Sequence, residues 1–173
     1  MKDQERALVF DDAQMRTVNR AVTMAEELVS NHFKMSPNQW LRPKYDVKTL
    51  VDLDDAEIID GPFAQIIRYQ GQRKDSALGS GSYDFYKICL QDHTILGALC
   101  CDPLLLLEPF GIYIIAHELI HIVRFSRFLQ NFDASADEKL AEEKRVHAIT
   151  RQICDGVRLE GMDHVLAFYR QWR

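Results

Sequence analysis

An α+β fold follows from three observations. Short apolar segments bounded by Gly and Pro fill the middle of the chain, and long amphipathic segments lie before and after them. A nearly continuous apolar stretch carries His117-Glu118-Leu119-Ile120-His121. The 173 residues, 47% of them hydrophobic, suffice for one domain with a full core, taken as residues 1–173. The expected layout is a small mixed or antiparallel sheet, then the helix bearing the H-E-x-x-H motif, then a further helix that returns across it.

Asp11 to Met35 reads as the first helix. Val18, Val22, Ala25, Val29 and Phe33 recur at helical spacing, Ala21 and Leu28 widen the stripe, and His32 forms its polar edge. Ser36-Pro37-Asn38 ends it. Tyr45 to Val51 alternates as a short strand, and Phe63 to Tyr69 reads as another between Gly61-Pro62 and Gly71. Gln72 to Ser82 is rich in Gly and Ser but lacks phosphate-loop spacing, so it is expected as a surface loop, with a lid over a cleft as the alternative. Phe85 to Leu90 and Thr94 to Cys101 resemble two strands joined by Gln91-Asp92-His93, with His93 exposed in the turn. The motif helix is expected from about Glu108 to Gln130, because Pro109 and an acid suit its first turn. A break at Asn131-Phe132-Asp133 precedes a helix from Ala136 to Val157, with Asp133 or Ser135 as N-cap. A last amphipathic helix, Met162 to Trp172, turns Val165, Leu166, Tyr169 and Trp172 inward.

Composition removes several classes of partner. A net charge of -5 with no Lys/Arg run argues against nucleic acid. Cys89, Cys100, Cys101 and Cys154 form no C-x-x-C pattern and read as reduced thiols, with Cys154 on the helix that follows the motif. Met1 to Arg6 is charged and unlike a signal peptide, and the apolar run from Leu104 to Ala116 is too short for a bilayer and broken by Glu108-Pro109. The expectation is a soluble cytoplasmic protein with no membrane partner.

The motif carries the chemistry. Histidines at i and i+4 share one helical face, so the His117 and His121 imidazoles can reach one metal ion. Glu118 lies on the rim of the same face, where it can act as general base on a metal-activated water. A catalytic site needs a third protein ligand and a position left for water. The next helix is the place to look, since a helix hairpin returns across the motif. Asp133 is better explained as a cap. Glu142 and Glu143 lie 21 and 22 positions beyond His121, and His147 follows Glu143 at i+4. Val146, Ile149, Ile153 and Val157 define the apolar stripe of that helix and Glu142 falls on it, whereas Glu143, His147, Thr150 and Cys154 form a polar row beside it. The plain alternative is an exposed i,i+4 Glu–His pair on a solvated face.

An H-E-x-x-H helix followed by a Glu-bearing helix resembles the gluzincins, the thermolysin-like branch of the zincin metallopeptidases. The likeness spans about half the chain, and it extends to the small intracellular peptidases that cleave phage-type repressors. Arg127 stands where the metzincin branch carries a third histidine. The resemblance implies a compact zincin-like domain and a glutamate as third ligand, Glu143 in preference to Glu142. His147 replaces the aspartate common in that family, as either a direct ligand or a group orienting one. The implied function is a zinc-dependent hydrolase acting on a peptide or protein substrate, with Glu118 as base and His117, His121 and Glu143 as ligands; Mn and Fe also suit these donors. Tyr113 or His147 would stabilise the oxyanion, and an edge strand within Phe85 to Cys101 would align the peptide. The alternative is a non-hydrolytic metal-binding protein with a closed His117, His121, Glu143, His147 site. A metal-free helical interaction module is a third class.

Overall fold

Apolar spacing and capping chemistry set the first helix in the computed structural model, which describes residues 8–36, 38, 44–72 and 82–171. Helix α1 (Asp12–Phe33) starts at a reciprocal capping box between Asp11 and Gln14 and stops where Lys34 turns left-handed at φ 53°. Its buried face is Val18, Ala21, Ala25 and Val29. The small residues allow close approach to the central helix: a Cβ on Gly111 would stand 3.1 Å from the Ala21 Cβ.

Three strands follow: β1 (Lys44–Lys48), β2 (Ala64–Gln72) and β3 (Ser82–Leu90). They form a mixed sheet in the order β1-β3-β2, with β1 parallel and β2 antiparallel to β3. The strand expected over Tyr45 to Val51 ends early, because Leu50–Asp52 coils into a 3-10 turn. The Leu50 amide there donates to the buried Asp92 carboxylate at 3.0 Å. The loop expected between Gln72 and Ser82 falls, over 73–81, outside the described residues, as do Pro37 and Trp172.

Thr94 to Cys101 is a helix, not a strand. Helix α2 (Asp92–Cys101) begins directly after β3, so Gln91-Asp92-His93 is a helix start rather than a hairpin turn. Asp92 accepts from the amides of Phe10 (3.0 Å) and Leu50 (3.0 Å), tying the entry to α1 and the exit of β1 to one carboxylate. Gln91, fully buried, accepts from the Ile59 amide and donates to the carbonyls of Glu57 and Cys89. A short apolar run reads equally as strand or helix, and these long-range hydrogen bonds decided between them. The change leaves β3 in the middle of the sheet, paired on both sides. The edges of the sheet are β1 and β2, and no edge strand lies within Phe85 to Cys101. His93 is half-buried and pairs with Asp60 at 3.1 Å.

Helices α3 (Leu107–Ser126), α4 (Ala136–Asp155) and α5 (Met162–Arg170) complete the five α-helices of the described residues. Ser135 caps α4 in a capping box with Glu138, while exposed Asp133 pairs with Arg68 at 3.7 Å. The architecture is α+β, and α3 is its centre: Phe110, Ile112, Ile115, Ala116, Leu119, Ile120 and Ile122 are all fully buried. On α4, Thr150 and Cys154 join Val146 in the buried face, so the polar row expected there reduces to Glu143 and His147. None of the described helices is long and apolar enough to cross a membrane.

A latch outside the core holds the segment that leads into β2. Glu57, in a 3-10 turn, accepts from Lys87 Nζ (2.7 Å) on β3, the Tyr69 hydroxyl (2.6 Å) on β2 and the Asp54 amide (3.0 Å). The hydrogen bond from Lys87, followed by that from Tyr69, lowers the Glu57 carboxyl from 4.5 to about 2. The folded protein therefore takes up this proton less readily than the unfolded chain. The stability so gained is complete above about pH 4.5 and is lost as pH falls toward 2. Glu57→Gln is expected to lower stability at neutral pH and flatten the acid limb of the unfolding profile between those values, as read from urea midpoints at a series of pH values.

Candidate metal centre

The H-E-x-x-H segment lies in the fourth and fifth turns of the buried α3, so its polar side chains must find partners where water is scarce. His117 and His121 are each only 7% exposed. Their Nε2 atoms stand 3.2 Å apart, and the Glu143 carboxylate reaches both, with Oε1 2.7 Å from His117 and Oε2 3.1 Å from His121. His147, one turn after Glu143 on α4, brings its Nε2 to 3.4 Å from Oε1. Ligand atoms about 2.0–2.1 Å from a tetrahedral ion lie about 3.3–3.4 Å from one another. The His117–His121, His121–Glu143 and Glu143–His147 separations are close to that spacing.

Two neighbours orient the rings. The Gln130 side-chain carbonyl lies 3.0 Å from His121 Nδ1, and a carbonyl only accepts, so His121 carries a proton on Nδ1 and turns Nε2 to the cluster. The Tyr113 hydroxyl holds His147 Nδ1 at 2.9 Å. Tyr113 is fully buried and stacks on Tyr169 with ring centroids 3.9 Å apart, so it supports His147 from behind and does not line the cleft. His117 Nδ1 is buried with no hydrogen-bond partner.

The electrostatics follow from this crowding. Burial pushes the His117 imidazole down to about 4, which keeps it neutral. Burial opposes ionisation of Glu143, but hydrogen bonds with His117, His121 and His147 outweigh it and hold the carboxyl well below its usual range. For His121 burial is likewise outweighed, chiefly by the hydrogen bond to Glu143, and the ring is raised. The Glu143 carboxylate accepts from the Nε2 atoms of His117 and His121. One positive charge, a proton or a metal ion, balances the arrangement.

Glu118 lines a cleft of about 890 Å³ together with His117, Glu143 and His147, and burial raises its carboxyl to about 7. Gly61, Pro62, Phe63 and Ala64, which lead into edge strand β2, form one wall. Glu143, Lys144, His147 and Arg151 from α4 form the other, with Tyr169 from α5 between them.

The adjacent acids of α4 have different partners. Glu142 is buried against α3, where Arg124 clasps it through Nε and Nη2, and Arg145 adds a bond of 2.7 Å from its own helix. Glu143, about 100° further round the helix, faces the histidines instead. Glu142 thus has no part in the cluster. Cys154 is also outside it, a buried thiol pushed up to about 12 by desolvation. His32 is exposed at the edge of α1, as its place in the stripe implies.

Gln130, Tyr169 and Arg151 are the neighbours that sequence reasoning missed. Gln130 sits in an irregular turn after α3 where Phe128 is left-handed at φ 57°, so no periodicity points to it. Tyr169 was expected only as packing. Arg151 was in principle visible, since it continues the row of Glu143 and His147 by another four residues. Comparison with protein-family models, curated proteins and solved structures gave no match to the chain.

The buried Arg124–Glu142 pair pins α4 onto α3. Glu142→Ala should cost about 3–5 kcal/mol by stranding Arg124 without its partner. Replacing both residues by Met should recover much of that loss, as measured by chemical denaturation.

Proposed function

We propose that the protein is a metal-dependent hydrolase of zincin-like type, most simply a zinc peptidase, with His117, His121 and Glu143 as ligands and Glu118 as general base. The observation that carries this reading is the convergence of three donor side chains from two helices beside a carboxyl group raised to about 7 that faces an open cleft. The donor set fits zinc, which favours imidazole and carboxylate in a four-coordinate site. A cation would replace the protons that join the two imidazoles to Glu143 and leave their Nε2 atoms as ligands.

When bound, the metal supplies Lewis acidity that lowers the pKa of a water and polarises a carbonyl. Glu118 is the residue placed to take a proton from that water and return it to the leaving amine. A group near 7 suits both transfers at neutral pH. Gln130 and Tyr113 keep the His121 and His147 rings in their orientations. The outer edge of β2, which starts at the cleft wall, offers main-chain groups to an extended peptide.

One observation favours a second reading. His117, Glu143 and His147 each offer a ligand atom within 4.8 Å of the others. If His147 binds alongside His121, the four donors close the coordination sphere against water and the centre is structural or sensory, with Mn or Fe gaining weight.

Elemental analysis of purified protein, combined with Glu118→Gln, separates the readings. The hydrolase reading expects about one zinc per chain in both proteins and a rate on a casein-derived peptide mixture about 10²–10⁴-fold lower in the variant. His147→Ala should then keep its metal. Metal lost with His147→Ala, together with no hydrolysis by the unsubstituted protein, would establish the closed centre. A chain that takes up no metal after dialysis against zinc would refute both.

A further inference from the structure

Arg151 and Lys144 are cleft residues whose charges the cluster does not use. Arg151 lines the same cavity as His117, Glu118, Glu143 and His147, and its Nε is buried with no hydrogen-bond partner. Two of the acids of α3 and α4 near the cluster are committed elsewhere, and Glu118 is held partly protonated by burial. Glu143 bonds the histidines and Glu142 bonds Arg124 and Arg145. Arg151 sits near the cluster: its charge acts on the Tyr113 hydroxyl, which in turn holds His147. Lys144 adds a second positive charge to the same wall. A guanidinium stays charged at any physiological pH, and its planar fork of donors matches a carboxylate in two parallel hydrogen bonds. A desolvated donor with no acceptor is unfavourable until a ligand supplies one.

We infer that Arg151, assisted by Lys144, forms a carboxylate-binding subsite, so that the peptide acted on here carries a free carboxylate close to the bond offered to Glu118. The inference rests on the peptidase reading for the chemistry, though not for the binding. His147 and Arg151 are one helical turn apart, about 6 Å along the axis, or roughly two residues of extended chain. The carboxylate is therefore within one or two residues of the scissile bond. Both a C-terminal carboxylate and an Asp or Glu side chain meet that requirement.

Zinc-loaded Glu118→Gln protein, titrated calorimetrically with three peptides, tests this. They are acetyl-Ala-Ala-Phe with a free carboxylate, its C-terminal amide, and acetyl-Ala-Asp-Phe amide. At least one carboxylate peptide should bind about tenfold or more tighter than the plain amide, and which one it is separates terminal from side-chain recognition. Arg151→Met should abolish the preference and Arg151→Lys should retain part of it. In the Glu118→Gln protein the Arg151 Nε–Hε resonance should shift with the carboxylate peptide alone, a readout that needs no substitution at Arg151. Equal binding of all three peptides, binding of none at millimolar concentration, or a preference that survives Arg151→Met would overturn the inference. If the protein takes up no zinc yet keeps the Arg151-dependent preference, the hydrolase reading fails and the subsite stands.

Discussion

Burial of α3 on almost every side is the constraint from which the rest of this structure follows. A helix so enclosed pays little for Ile, Leu and Val but much for each polar group, and it carries His117, His121 and Arg124 on the face toward α4. Those three side chains dictate what α4 must present. Glu142 answers Arg124, and Glu143 answers the two histidines. The Ser135 cap sets where α4 begins, and so where both acids fall along it. The close contact of Gly111 with Ala21 seats the opposite face of α3 on α1.

The cluster itself is a problem in charge balance. Three imidazoles surround one carboxylate, and burial alone would keep the His117 and His121 rings neutral. Gln130 resolves part of the ambiguity by holding a proton on the outer nitrogen of His121, which leaves Nε2 to meet Glu143. Glu118 does not share in the cluster, and the same burial raises its proton affinity. Neighbouring residues on one helix thus shift in opposite directions, because burial disfavours the cation of His117 and the anion of Glu118.

Legibility in the sequence varied with how local the cause was. The long helices were readable because capping and 3.6-residue periodicity act within a few residues: Asp11, Ser135 and the stripe of α1 all lie where their patterns indicate. Thr94 to Cys101 was misread as a strand because a short apolar run carries no decisive period, and the deciding bonds join Asp92 to Phe10 and Leu50. That error also misplaced a sheet edge, since the edge strands are β1 and β2 and not part of the Phe85–Cys101 segment. The assignment of Glu142 to the apolar stripe held because it reflects helix geometry alone. Thr150 and Cys154, expected beside that stripe, lie in the buried face because α3 covers more of α4 than an average stripe suggests.

By itself, the sequence determined that His117, Glu118 and His121 share one helix, and that Glu143 and His147 share another at a spacing that puts them on one face. Helical periodicity requires as much wherever the helices lie. Tertiary structure alone decided that the two faces meet, that Glu143 rather than Glu142 reaches the histidines, and that Gln130 and Tyr113 steer the rings. It also decided that Arg151 lines the same cleft with a buried, unpartnered Nε. These depend on the angle and register at which α4 crosses α3. That crossing is set by a buried ion pair and by packing between residues distant in the chain, which no local pattern encodes.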